Sequence, residues 1–176
     1  MKLFAEKGYE STSIEEITAT VGVAKGTLYY HFSSKEEIFN FLVEEGMKLL
    51  KNSIQIKTAK LDNSIDKIKA IILIQIKVIK KYENLITIVL SQIWGTEERN
   101  TNCRRYVMDY IKTVEEIIKE GIKKQELIEM DSEVLASEIF ASTCTSLIYK
   151  MKTNQEIDIK KMYTELETSV IKGIKK

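Results

Sequence analysis

The chain has 176 residues, 44% hydrophobic and 30% charged, a size and balance that suit a folded domain with its own core and exclude a disordered tail. It contains no proline, where an average usage of about 5% would place roughly nine. Long unbroken helices are therefore expected and an all-β sandwich is not. Twenty-seven basic side chains against 26 acidic leave a formal net charge of +1, so any nucleic acid must be met by a local patch rather than by a whole-molecule field.

In chain order, Ser13 and Glu16 form a capping-box pair that opens a helix running to about Val21, where Gly22 stops it. A second short helix fits residues 25–32. Ser33 and Ser34, each three residues before a glutamate, start a third at Lys35. That helix reaches Thr58 along a stripe of Ile38, Leu42, Leu49 and Ile56, with Gly46 weakening its middle. Ile65, Ile68, Ile72, Ile76 and Ile79 mark the next, and Ile71, Ile74 and Val78 widen its apolar face nearly around the axis. Such a helix belongs inside a bundle. Leu85, Val89 and Ile93 carry another to Trp94 and Gly95, and the polar residues 96–102 are expected to form a loop. The last three stripes are Val107 to Gly121, Ala136 to Met151, and Met162 to Ile174. Cys103 and Cys144 lack CxxC or Cys/His spacing and are expected to be reduced thiols. With no signal-peptide region and no apolar run near membrane length, the protein is expected in the cytoplasm.

Residues 22–35, GVAKGTLYYHFSSK, are the stretch richest in chemistry. They hold Lys25, His31, Lys35, three aliphatic hydroxyls and two tyrosines, and no carboxylate, although the first fifty residues carry eight glutamates against five lysines. An acid-free short helix after another short helix and a glycine turn suits a helix-turn-helix. Phosphates would accept hydrogen bonds from Lys25, Thr27, Tyr29, Tyr30, His31 and Lys35. On these residues alone a polar surface helix fits equally well.

The segment LFAEKGYESTSIEEITATVGVAKGTLYYHFSSKEEIF resembles the DNA-binding signature of the tetracycline-repressor (TetR) family of bacterial transcriptional regulators. The resemblance rests on the order of Gly8, Ile14, Gly22, Gly26, Leu28, Tyr29, His31, Phe32 and Lys35. It implies an all-α protein with an N-terminal helix-turn-helix domain over residues 1–45. A helical domain for effector binding and dimerisation follows over 46–176. It further implies that Thr12, Ser13, Tyr30, His31 and Lys35 hold phosphates, that Lys25, Thr27 and Tyr29 lie nearest the bases, and that Leu28 and Phe32 are core. Ala24 stands where the family commonly has serine, removing a cap worth about 1 kcal/mol. The family's first helix usually begins about ten residues before Leu3 and Phe4, so either further residues precede Met1 or the first helix is truncated.

His31 is the sole histidine, and the chain has no HExxH, ExxH, glycine-rich phosphate loop or GxSxG elbow. No metal, no cofactor and no enzyme activity are expected. Large amphipathic residues with a few polar neighbours suggest an effector cavity lined by Gln92, Trp94, Cys103, Tyr106, Tyr110, Phe140 and Cys144. Ala136, Leu147, Met151, Leu166 and Val170 are expected at a homodimer interface. The expected function is a homodimeric repressor of palindromic operators, released by a small molecule of unknown identity. The alternative is a helical protein-interaction or small-molecule-binding module without DNA binding.

Overall fold

The structure, a computed structural model, describes residues 1–175. These form nine helices: α1 (Lys2–Lys7), α2 (Ile14–Val21), α3 (Lys25–His31), α4 (Lys35–Thr58), α5 (Ser64–Lys81), α6 (Glu83–Gln92), α7 (Glu98–Lys123), α8 (Ser132–Lys152) and α9 (Ile159–Ile174). Among the described residues the one extended pairing recorded is an isolated antiparallel bridge between Leu127 and Lys175. No helix there is long and apolar enough to cross a membrane.

The chain divides into two compact units. Unit 1 comprises Met1–Met47 and Glu83–Tyr106, so α6 and the start of α7 pack with the N-terminal helices. Phe4, Phe39, Val43, Met47, Leu85, Ile86 and Val89 are buried there. The Phe39 ring meets those of Phe4 and Tyr9 edge-on at 5.4 and 5.1 Å. The buried face of α4 is that of Ile38, Phe39, Val43 and Met47, continued by Leu50 and Ile54, while Leu49 and Ile56 are exposed. The stripe expected from the sequence is thus turned from the real one by about one residue. Gly46 explains the shift: it looks like a gap in the correct stripe, but a Cβ there would overlap the Leu85 side chain, and leucine fills the space that glycine leaves.

The helix α7 begins inside the stretch expected to be a loop. Asn100 is buried; its carbonyl oxygen accepts from Glu97 N–H at 3.0 Å and its Nδ2 donates to Gln92 O at 2.7 Å. The polar run therefore folds as a helix start, its side chains satisfying backbone groups that a first turn leaves unpaired.

Unit 2 comprises Lys48–Tyr82 and the chain from Val107 onward. In it α5 packs against α8 and α9, burying Ile68, Ile71, Ile72, Ile76 and Ile79. Ala136, Leu147 and Val170, expected at a dimer interface, are fully or nearly fully buried within this unit's own core. The regular spacing that singled them out is a packing stripe, and the unit has already used it. Met151 and Leu166 are half-exposed.

Candidate nucleic-acid interface

The helix pair α2–α3 is built from local signals. Ser13 caps α2: its Oγ accepts from Glu16 N–H at 3.2 Å, and its own N–H donates to Glu16 Oε2 at 2.9 Å. Lys7 pairs with the same carboxylate. That ammonium, followed by the Ser13 amide and hydroxyl, lowers the Glu16 pKa to about 2. Gly22 closes α2 in the left-handed conformation, φ 71° and ψ 31°, which a residue with a Cβ adopts only at a cost. Ala24 then opens α3 without a side-chain cap.

No residue of α3 is buried. Thr27, Tyr29 and His31 are exposed, and Tyr30 is 85% exposed with its ring edge-on to His31 at 5.0 Å. Leu28 and Phe32, expected in the core, are half-buried, Phe32 resting 5.3 Å from the Phe41 ring. A helix this short that sinks so little of itself leaves its hydroxyls and imidazole open to a partner. The acid-free segment does gain acids through folding, Glu15 at Lys25 and Glu37 at Ser33. Lys25 Nζ lies 2.5 Å from Glu15 on α2 and 5.8 Å from the centre of the Tyr29 ring. The two charges shift each other, Lys25 upward and Glu15 downward, chiefly through their hydrogen bond.

Beside α3 a shallow groove of about 510 Å³ is lined by Thr12, Ser13, Tyr29 and Lys35 from the expected set, together with Glu10, Ser11, Ile14, Ser33 and Ser34. Sequence reasoning treated Ser33 and Ser34 only as helix-start signals. Ser33 donates to Glu37 through its N–H at 2.6 Å and its hydroxyl at 2.7 Å. Those bonds hold the Glu37 carboxyl below its usual range. Lys35 is half-buried; its Nζ donates to the carbonyls of Tyr9 at 3.0 Å and Glu10 at 3.3 Å and stands 4.4 Å from the Tyr9 ring centre. Thr12 borders that groove but offers it almost no surface. It is 1% exposed, and its hydroxyl donates to Gly8 O at 2.8 Å, because the turn after α1 folds that side chain inward.

The seven residues expected to line an effector cavity do not share one unit. Gln92, Trp94, Cys103 and Tyr106 fall in unit 1. Trp94 is 89% exposed, since α6 ends at Gln92 and leaves it on the following turn; it lines no interior. Gln92 accepts from Arg99 and Asn100, and Tyr106 donates to Glu44 at 2.9 Å. Cys103 is buried against Val89 O, and burial pushes its thiol up to about 11. Gln92, Cys103 and Tyr106 thus make contacts within unit 1, and Trp94 stands exposed. Tyr110, Phe140 and Cys144 do come together, buried in unit 2 with the two rings 5.3 Å apart. Gln75, missed at the sequence level, joins them by donating from Nε2 to Tyr110 Oη. Its signal was present: it is the one polar residue in the buried isoleucine stripe of α5.

Residues 1–42 match the family described as bacterial regulatory proteins, tetR family. Over 64 residues the chain is 41% identical to the Staphylococcus aureus (strain Newman) biofilm operon icaADBC HTH-type negative transcriptional regulator IcaR. That match covers 36% of this chain and about a third, 34%, of the relative's length. A solved structure from Clostridium perfringens, named as a proposed fatty acid metabolism regulator, superposes with a TM-score of 0.93 at 32% identity, over 98% of this chain and 94% of the other. The Bacillus subtilis transcriptional regulator FadR, solved in complex with stearoyl-CoA, superposes with a TM-score of 0.87 at 21% identity, over 98% and 94%. With the signature on α2 and α3 and a whole-length likeness above 30% identity, the chain belongs to the TetR family of bacterial regulatory proteins.

Proposed function

We propose that the protein is a homodimeric transcriptional repressor of the cytoplasm. Its N-terminal domain, residues 1–45, holds a palindromic operator, and a small molecule in the domain over 46–176 releases it. The observation that carries this reading is α3, a helix with no buried residue that presents Lys25, Thr27, Tyr29, Tyr30 and His31. Laid in the major groove, it would put Lys25, Thr27 and Tyr29 nearest the bases. Ser13, Tyr30, His31 and Lys35 would meet phosphates, joined by Ser34 along the same groove. Two-fold symmetry of the dimer would be matched by a palindrome with half-sites about 34–36 Å apart.

The effector is assigned to the interior of unit 2, around Tyr110, Phe140 and Cys144, and its class to aliphatic acyl compounds. The isoleucine-rich lining of α5 supports that class, as do the Clostridium regulator's name and the stearoyl-CoA bound by the Bacillus FadR. Release requires only that the effector bind the DNA-incompetent state better; a tenfold loss of operator affinity corresponds to about 1.4 kcal/mol of coupling. Fluorescence polarisation with the DNA upstream of the protein's own gene tests the reading. The expected result is binding far tighter than to unrelated DNA at the same salt, reversed by a long-chain acyl-CoA. Equal affinity for both DNAs would leave the interaction-module alternative standing.

A further inference from the structure

Among the described residues two buried side chains of unit 2 carry a polar atom without a hydrogen-bond partner, Ser64 at the start of α5 and Gln75 within its isoleucine stripe. Gln75 is completely buried. Its Nε2 donates to Tyr110 Oη at 2.5 Å, while its Oε1 has no hydrogen-bond partner. Rotating the amide by 180° does not help, because the oxygen would then accept from Tyr110 and the nitrogen would be left bare. In either orientation one polar atom faces an apolar interior, where leucine would serve packing better.

Around this atom the lining is aliphatic and aromatic. Ile71, Ile72 and Ile76 flank Gln75 on α5, and Phe140 and Cys144 approach Tyr110 from α8. Among the described residues the buried polar side chains are threonines, Ser64, Asn100 and Gln75, and none is charged. Burial drives the Tyr110 phenol far above its usual range, so it stays neutral. A carboxylate placed here would have no cation to pair with and would lose its hydration. An uncharged carbonyl needs only one donor, and the Gln75 amide in its rotated form supplies one.

We propose that Gln75 and Tyr110 form the polar end of the effector site, and that they read the neutral carbonyl of an acyl thioester rather than the carboxylate of a free fatty acid. The aliphatic chain would replace contacts among the isoleucines of α5, and the ligand would complete the hydrogen bond that Gln75 does not make within the fold. The inference rests on the acyl class of effector proposed above.

Three probes separate the two claims: hexadecanoyl-CoA, S-hexadecyl-CoA, which lacks the carbonyl, and hexadecanoate, each titrated against the full chain with thermal shift as a second readout. Hexadecanoyl-CoA is expected to bind about tenfold tighter than the thioether, with hexadecanoate no better than the thioether. In Gln75→Leu the gap between the two CoA compounds should vanish. Because that variant orphans the Tyr110 hydroxyl, Gln75→Leu/Tyr110→Phe is the companion, removing both partners at once; it should melt no lower than wild type and show no gap. Equal wild-type affinity for the two CoA compounds, or a gap that survives in both variants, overturns the assignment of Gln75. Preferential binding of hexadecanoate keeps the acyl class and refutes the neutral carbonyl. Binding of none of the three removes the acyl effector itself, and this site with it.

Discussion

Glu16 shows how a residue can hold the start of α2 in place through charge. Its carboxylate caps α2 and is held at a pKa of about 2, first by Lys7 and then by Ser13, so it favours the folded state whenever it is ionised. A carboxyl whose folded pKa is depressed contributes stability above its unfolded pKa and loses it as pH falls through the folded value. Glu16→Gln should therefore lower Tm at neutral pH, and the difference from wild type should close as pH falls from about 4.5 towards 2. A Tm difference constant across that window would mean that the charge is idle. Lys35 has two Nζ hydrogens on the Tyr9 and Glu10 carbonyls, which leaves the third for a phosphate. Lys35→Ala is expected to weaken binding to operator and unrelated DNA alike and to lower the salt slope by about one; loss confined to one base-pair position would move it out of that role. At this scale the capping box was legible because both partners lie three residues apart. The burial of Thr12 and the orphaned Gln75 oxygen were not, since each depends on residues brought up by tertiary packing.

The same division runs through the elements. Helix existence followed from periodicity almost everywhere, because a proline-free chain with apolar residues three and four apart has few other ways to bury them. Which face goes inward was harder to read on α4, where Gly46 hid the buried stripe. Alanine at position 46 tests that explanation, since propensity and packing oppose each other there. Helix propensity alone would stabilise Gly46→Ala by about 1 kcal/mol. The added Cβ, however, meets the Leu85 side chain, and overpacking of this kind costs about 1–3 kcal/mol. A lowered Tm is expected in the wild-type background, and a raised one when Gly46→Ala is added to Leu85→Ala, where the clashing atoms are gone. A Gly46→Ala single variant as stable as wild type would show that Leu85 swings aside freely. The turn between α6 and α7 was misread for a related reason. Its polar residues looked like loop, whereas Asn100 and the Arg104 guanidinium, which donates to Ile93 O at 3.1 Å, spend their polarity on backbone groups.

At the scale of the whole molecule, contacts between distant segments decide what the sequence alone does not rank. Residues 83–106 join the N-terminal unit across a gap of 35 residues, a pairing that no local spacing announces. The dimer surface is the other such case. Ala136, Leu147 and Val170 are consumed by the core of unit 2, so a partner along α8 must meet the opposite face of that helix. That face carries Val134, Glu138, Ala141, Thr145 and Tyr149, all exposed and spaced by three and four residues so that they form one stripe. Val134 and Tyr149 supply apolar area at its ends, and Ala141 and Thr145 are small enough at its centre for two helices to approach closely. Ala141→Glu places two carboxylates against each other across a two-fold axis while changing nothing buried in the protomer. The variant is expected to keep the helical signal of wild type, to sediment as a monomer, and to bind the full operator about 100-fold or more weakly, because two half-sites are no longer engaged by one particle. Binding to a single half-site should be unchanged, which separates lost dimerisation from damage to α3. A variant that still sediments as a dimer would place the interface away from this face of α8.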